Sequence, residues 1–137
     1  MTPKEKEYAM NAMPTAFTAI AATQGSYFLV TGVWPLVHIR SFLAVTGPKT
    51  DLWLVETVGV LVAAMGAGLL LSAARGTPTI ELALIAVLAA LGLAAIDIIY
   101  VTRGVISRIY LADAALEALF IVAWAVYAFR LKGQRRK

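Results

Sequence analysis

The chain contains no cysteine and a single histidine, His38. Without cysteine there is no disulfide framework, no thiolate zinc site, no cysteine-ligated iron–sulfur cluster and no cysteine nucleophile. One imidazole per chain cannot hold a haem between two histidines or build the multi-histidine iron site of a membrane desaturase. Charge is scarce as well: 15% of the 137 residues are Asp, Glu, Lys or Arg, where a soluble domain carries about a quarter. No lysine falls inside a long apolar run, which removes a retinal-type Schiff base. His-Glu-x-x-His, Glu-x-x-His, a nucleophile elbow and a phosphate-binding glycine loop are all missing, so no catalytic or metal centre is expected.

Apolar residues are what the chain has in excess. They make up 61% of it, and the mean hydropathy is +0.80. Such a composition cannot cover its own surface with polar groups, which implies an integral membrane protein in the lipid bilayer. At roughly 20 residues per crossing, the length accommodates four spans, short loops and two tails. The expectation is an all-α, antiparallel four-helix bundle forming a single transmembrane domain over 1–137, with spans at about 13–33, 51–74, 79–101 and 109–131.

The first of these is the weakest, because Thr15, Thr18, Thr23, Gln24, Ser26 and Thr31 interrupt it. A signal peptide cleaved near Ala19-Ile20-Ala21 is the competing reading, but Tyr27-Phe28-Leu29-Val30 prolongs the apolar run and argues against it. Trp34-Pro35 is expected to close the span. From Leu36 to Val45 the pattern is amphipathic and short, which suits an interfacial segment. Gly47-Pro48 makes a turn, and Thr50 or Asp51 caps the second span. In Arg75-Gly76-Thr77-Pro78, Gly76 is suited to end one helix, Thr77 to cap the next and Pro78 to occupy its first position. This tight link predicts that spans two and three pack side by side. Gly59, Ala63 and Ala67, and Ala64, Gly68 and Ser72, would then face Ala86, Ala90 and Ala94.

The net charge of +4 comes from the C-terminal run Arg130, Lys132, Arg135, Arg136 and Lys137. Residues 132–137 read as a basic cytoplasmic tail touching anionic headgroups, not as a nucleic-acid contact. With four crossings, one side of the bilayer receives eight Lys and Arg and the other four. The positive-inside rule puts both termini in the cytoplasm, and the protein in a bacterial inner membrane.

Four carboxylates interrupt the apolar runs: Glu56, Asp97, Asp113 and Glu117. Counted from the loops, Glu56 and Asp113 lie about 8 Å deep, Asp97 about 9 Å and Glu117 about 14 Å, all on the non-cytoplasmic side. Asp113 and Glu117 are four residues apart and share one helix face, which Trp124 continues. Like charges at low dielectric require protons or cations. Arg103 and Arg108 flank the third loop, while His38, Arg40 and Lys49 lie in the first. The expectation is therefore one polar cluster of Glu56, Asp97, Asp113, Glu117, Arg103, Arg108 and His38 joining spans two, three and four, with Tyr100 and Tyr110 nearby. Either these groups are ion pairs that fix helix register, or they form a ligand or proton site. Asp51 reads as an N-cap and Glu81 as a helix-dipole partner. His38 reads as a headgroup-level polar residue, with axial ligation of a chlorophyll-type pigment as the alternative.

The stretches Gly32-Val33-Trp34-Pro35-Leu36-Val37-His38-Ile39-Arg40-Ser41-Phe42 and Val45-Thr46-Gly47-Pro48-Lys49-Thr50-Asp51-Leu52-Trp53-Leu54-Val55 resemble small four-span bacterial membrane proteins. Asp97-Ile98-Ile99-Tyr100 and Tyr110-Leu111-Ala112-Asp113-Ala114-Ala115-Leu116-Glu117 carry the same resemblance, which covers about residues 25–125. It implies the four-helix fold and brings no activity or cofactor with it. Two functions follow from the residues themselves. One is a non-catalytic accessory or structural subunit packed against larger membrane-protein subunits, in the manner of an energy-converting complex. The other is a small transporter or binder of a lipid-like molecule or quinone that uses the acidic cluster. An enzyme acting on a lipid ranks below both, for want of a nucleophile or metal set.

Overall fold

The structure is a computed structural model that describes residues 2–76 and 79–135, without the side chains of 3, 5–14 and 134–135. Five helices account for most of it, and no strand occurs among the described residues. They are α1 (Pro3–Val37), α2 (Ile39–Thr46), α3 (Leu52–Arg75), α4 (Ile80–Thr102) and α5 (Tyr110–Arg135). Three of them, α3, α4 and α5, are long and apolar enough to cross a membrane. A fourth crossing results if Thr15–Val37 and α2 are taken as one span bent by 112°.

The helix ends follow local chemistry. Gly76 ends α3 in the left-handed region at φ 60°, and its N–H donates to Ser72 and Ala73 carbonyls. The cap of α4 is Thr79, whose hydroxyl accepts from Leu82 N–H; the expected cap Thr77 and first-turn Pro78 lie outside the described residues. Asp51 stands at the N-cap position of α3 but makes no side-chain capping bond there. In the first turn of α4, Glu81 meets the positive end of the helix dipole. Arg136 and Lys137, the end of the basic tail, are outside the described residues.

Trp34-Pro35 does not terminate α1, contrary to the sequence expectation. Proline removes one backbone donor, yet His38 N–H still reaches Trp34 O at 2.9 Å, and Pro35 is buried against Gly59 of α3. The break comes three residues later at His38 (φ −146°, ψ 69°). Here the corner is knit by side chains. His38 Nδ1 accepts from Ser41 N–H at 3.2 Å, Ser41 Oγ accepts from Trp34 Nε1 at 2.7 Å, and the Trp34 and Phe42 rings meet edge to face.

The close pairings are α1 with α3 and α4 with α5, whereas α3 and α4, though joined by a short link, barely touch. Four glycines explain the first pairing. A Cβ placed on Gly32 would lie 2.6 Å from Gly59 O, and one on Gly66 would lie 2.7 Å from Gly25 O. Backbone therefore lies on backbone at two levels, seven residues apart in each antiparallel helix. Only the absence of side chains permits that approach. Of the small residues expected to face α4, Gly59 and Ala63 instead meet α1. Ala86, Ala90 and Ala94 are buried, as a stripe of small residues would be, but α4 lies along α5. Between α3 and α4 runs an apolar groove lined by Leu61, Met65, Leu69, Ile85 and Ala86.

Where the helices meet, the core is aromatic, with Phe17, Phe28 and Trp124 packed among Ala21, Val62, Leu69 and Ala86. Phe17 meets Trp124 edge to face at 5.5 Å between centroids. Gln24 crosses this layer fully buried, donating to Ala86 O at 3.0 Å and accepting from Trp124 Nε1 at 2.7 Å. One amide thereby ties α1 to both α4 and α5. The outward faces are apolar too: Leu61, Leu84, Leu88, Leu119 and Val122 are all more than half exposed.

Candidate functional site

The alanine stripe of α4 leads down to Asp97, and the exposed-to-buried periodicity of α5 turns Asp113 and Glu117 inward on one face. From the opposite wall α1 presents Tyr27 and Thr31, four residues apart. These side chains border a cavity of about 500 Å³, otherwise walled by Phe28, Val58, Val62, Leu93 and Ile96. A space of that size lies in the range of small-molecule pockets.

Glu117 is fully buried, and neither of its carboxylate oxygens has a hydrogen-bond partner. Asp97 is buried and its Oδ2 is likewise unpartnered. Asp113 accepts a hydrogen bond from the Tyr27 hydroxyl. The Thr31 hydroxyl donates within its own helix, to Tyr27 O at 2.7 Å. No lysine, arginine or histidine lines the cavity. Lys49 stands beside it, its Nζ 5.2 Å from the ring centroid of Tyr110, a wall residue. That ammonium donates to Thr46 O at 3.0 Å and Gly47 O at 3.3 Å, and burial pushes it below the usual lysine range.

Of the residues expected to cluster, Asp97, Asp113 and Glu117 share this cavity and the other four lie outside it. Glu56 is exposed: Val55, Val58 and Gly59 of α3 face the cavity, and the turn of the helix carries Glu56 to the outside. Arg103 is exposed with its guanidinium 5.8 Å from the Tyr100 ring, and Arg108 is exposed. His38 is exposed and serves as the cap of α2. Helix α1, not α3, supplies the third polar wall.

The chain matches no protein-family model, no curated protein and no solved structure. What the site can do is therefore read from its own groups. Among the described residues, no three histidine or carboxylate side chains come together as a metal-binding group. The reactive content is a set of oxygen acceptors in an apolar enclosure, together with hydroxyls already engaged.

Tyr27, Thr31 and Gln24 are the residues that sequence reasoning missed. Their signal was present as polar groups at intervals of three and four, which place them along one face of α1. Two of the residues that weaken this stretch as an apolar span, Gln24 and Thr31, bridge the core and line the cavity respectively.

Proposed function

We propose that the chain is a multi-pass integral membrane protein of a bacterial inner membrane that binds an amphipathic small molecule in the cavity between α1, α3, α4 and α5. The membrane reading is supported by three helices of spanning length, by the bent α1–α2 pair as a fourth, and by outward faces of exposed leucine, isoleucine and valine. Four crossings would make an antiparallel bundle, and the excess of Lys and Arg beyond its α3–α4 end supports a topology with both termini in the cytoplasm. The cavity then lies toward the outer leaflet.

The observation that carries the binding reading is Glu117. A buried carboxylate with no partner costs several kcal/mol, and removing one partner of a buried ion pair costs about 3–5 kcal/mol. Such a group persists where a proton or an occupant compensates it. The test is to purify the protein from native membranes in mild detergent and analyse what accompanies it. Wild type is expected to carry an amphipathic small molecule that Glu117→Gln loses while eluting as the same folded species. Absence of any such molecule from the wild type, with the variant altered only in thermal stability, would make the cluster structural.

The accessory-subunit reading is supported by a different feature, the open apolar groove between α3 and α4. It requires companion chains in a gently solubilised membrane. Migration as a lone 14.6 kDa protein would end it.

A further inference from the structure

Resting on the binding reading above, we propose that the occupant is a lipophilic organic cation, an amine or quaternary onium on an apolar body, which enters the cavity in exchange for a proton of the Asp97, Asp113 and Glu117 group.

The sign of the site decides between ligand classes. An anionic headgroup needs donors on the wall and would meet acidic groups of its own sign there. Three hydroxyls stand on the wall: Tyr27 donates to Asp113, Thr31 donates to Tyr27 O, and Tyr110 pairs with the Thr46 side chain. The groups without a partner are acidic, namely both oxygens of Glu117 and Oδ2 of Asp97. A positive group satisfies them, and Tyr27, Phe28 and Phe42 put aromatic rings, which attract cations, in the same wall. The remaining wall is aliphatic and suits an apolar body.

Charge balance requires the exchange. Introducing a monocation into an uncharged apolar space would leave an isolated charge at low dielectric, a cost far beyond ordinary binding energies. If the arriving cation displaces one proton from a carboxyl group to water, the O–H bond of that carboxyl breaks heterolytically, its electron pair stays on oxygen, and the cavity's net charge is unchanged. The groups that share this balance are Glu117, Asp113 and Tyr110 of α5, Asp97 of α4 and Tyr27 of α1, with Lys49 against Tyr110. Helix α3 contributes only apolar wall residues, and α2 contributes Phe42.

The experiment uses the full-length protein in detergent with two probes of one shape and opposite charge, tetraphenylphosphonium and tetraphenylborate, and tetraphenylmethane as the neutral form. Calorimetry in buffers of different ionisation enthalpy counts the protons released. The expected result is binding of tetraphenylphosphonium with release of about one proton and affinity falling up to about tenfold per pH unit on acidification. Tetraphenylborate should bind at least about tenfold more weakly. Glu117→Gln and Asp113→Asn are each expected to weaken the phosphonium by about tenfold or more, and exposed Glu56→Gln to leave it unchanged. Should Glu117→Gln fail to fold on size exclusion, Asp113→Asn and Asp97→Asn carry the same reading. Equal binding of the borate or the neutral probe, or phosphonium binding without proton release, would overturn the cation exchange and leave the binding reading standing. Failure of the phosphonium while wild type still carries a neutral copurifying molecule would overturn it in the same way. Failure of every probe, with nothing copurifying, would overturn both.

Discussion

Gly66 and Gly68 lie two positions apart in α3, and replacing each by alanine is expected to change stability in opposite directions. In a helix interior alanine is favoured over glycine by about 1 kcal/mol. At Gly68 nothing lies within 4 Å of an added Cβ, so Gly68→Ala receives that benefit alone. At Gly66 the added carbon would stand 2.5 Å from Leu29 N and 2.7 Å from Gly25 O, both backbone atoms that cannot rotate away. The helices must separate, and overpacking of this kind costs about 1–3 kcal/mol. Gly66→Ala therefore nets roughly zero to 2 kcal/mol destabilising. The two alanine variants would differ by about 1–3 kcal/mol, a separation of several degrees in midpoint. Thermal unfolding of the purified protein in detergent measures it, with Gly32→Ala as a second close-contact variant and Gly92→Ala as a second open one. If Gly66→Ala and Gly32→Ala were as stable as Gly68→Ala and Gly92→Ala, the backbone contact between α1 and α3 would not exist as described.

Trp124→Phe leaves Gln24 Oε1 buried without its donor and is expected to cost about 1–3 kcal/mol beyond the lost ring volume; the same change in a Gln24→Leu background should cost less, and a double-mutant cycle showing no coupling would refute the bridge. Lys49 loses affinity for its proton on burial, so the unfolded chain binds that proton more tightly than the folded one. Stability should therefore rise as pH increases through the interval between the lowered folded value and 10.5, and Lys49→Met should remove that rise in chemical unfolding series. Because the chain has no cysteine, single cysteines at Lys4 and Gly133 can be labelled with an impermeant thiol reagent in oriented vesicles. Both should react from the same face, and reaction from opposite faces would contradict four crossings.

Depth along a helix was legible in the sequence, and direction around it was not. Asp97, Asp113 and Glu117 were placed at one level by counting residues from the loops, and they do meet at one cavity. Glu56 satisfies the same count yet faces outward, because rotation about the axis is set by which neighbour a helix packs against. That choice escaped sequence reasoning for a definite cause. Alanine is so common in α3 and α4 that several small-residue faces are available, and the short Gly76 link made α4 the natural partner of α3. The deciding signal was the equal seven-residue spacing of Gly25 and Gly32 in α1 and of Gly59 and Gly66 in α3. It matches in antiparallel order, which no single helix reveals. Pro35 misled for a related reason: its burial against Gly59 offsets the missing backbone donor, and the chain turns only at His38.

The cavity follows from that pairing. With the glycine face of α3 used against α1, an apolar groove is left between α3 and α4, bordered by large side chains such as Leu61, Met65, Ile85 and Leu88 and by small ones such as Ala64, Gly68 and Ala89. The helices thus form two tight pairs, joined across the middle by Gln24 with Ala86 and Trp124 and by Phe17 against Trp124. At the end beyond this joint, where α1 bends into α2, nothing of comparable volume fills the space between the pairs. Two aspartates and a glutamate border that space. That space of about 500 Å³ sets apolar walls, which are unfavourable against water, beside unpartnered carboxyl oxygens, whose charge is costly to bury. One occupant with an apolar body and a positive group would offset both.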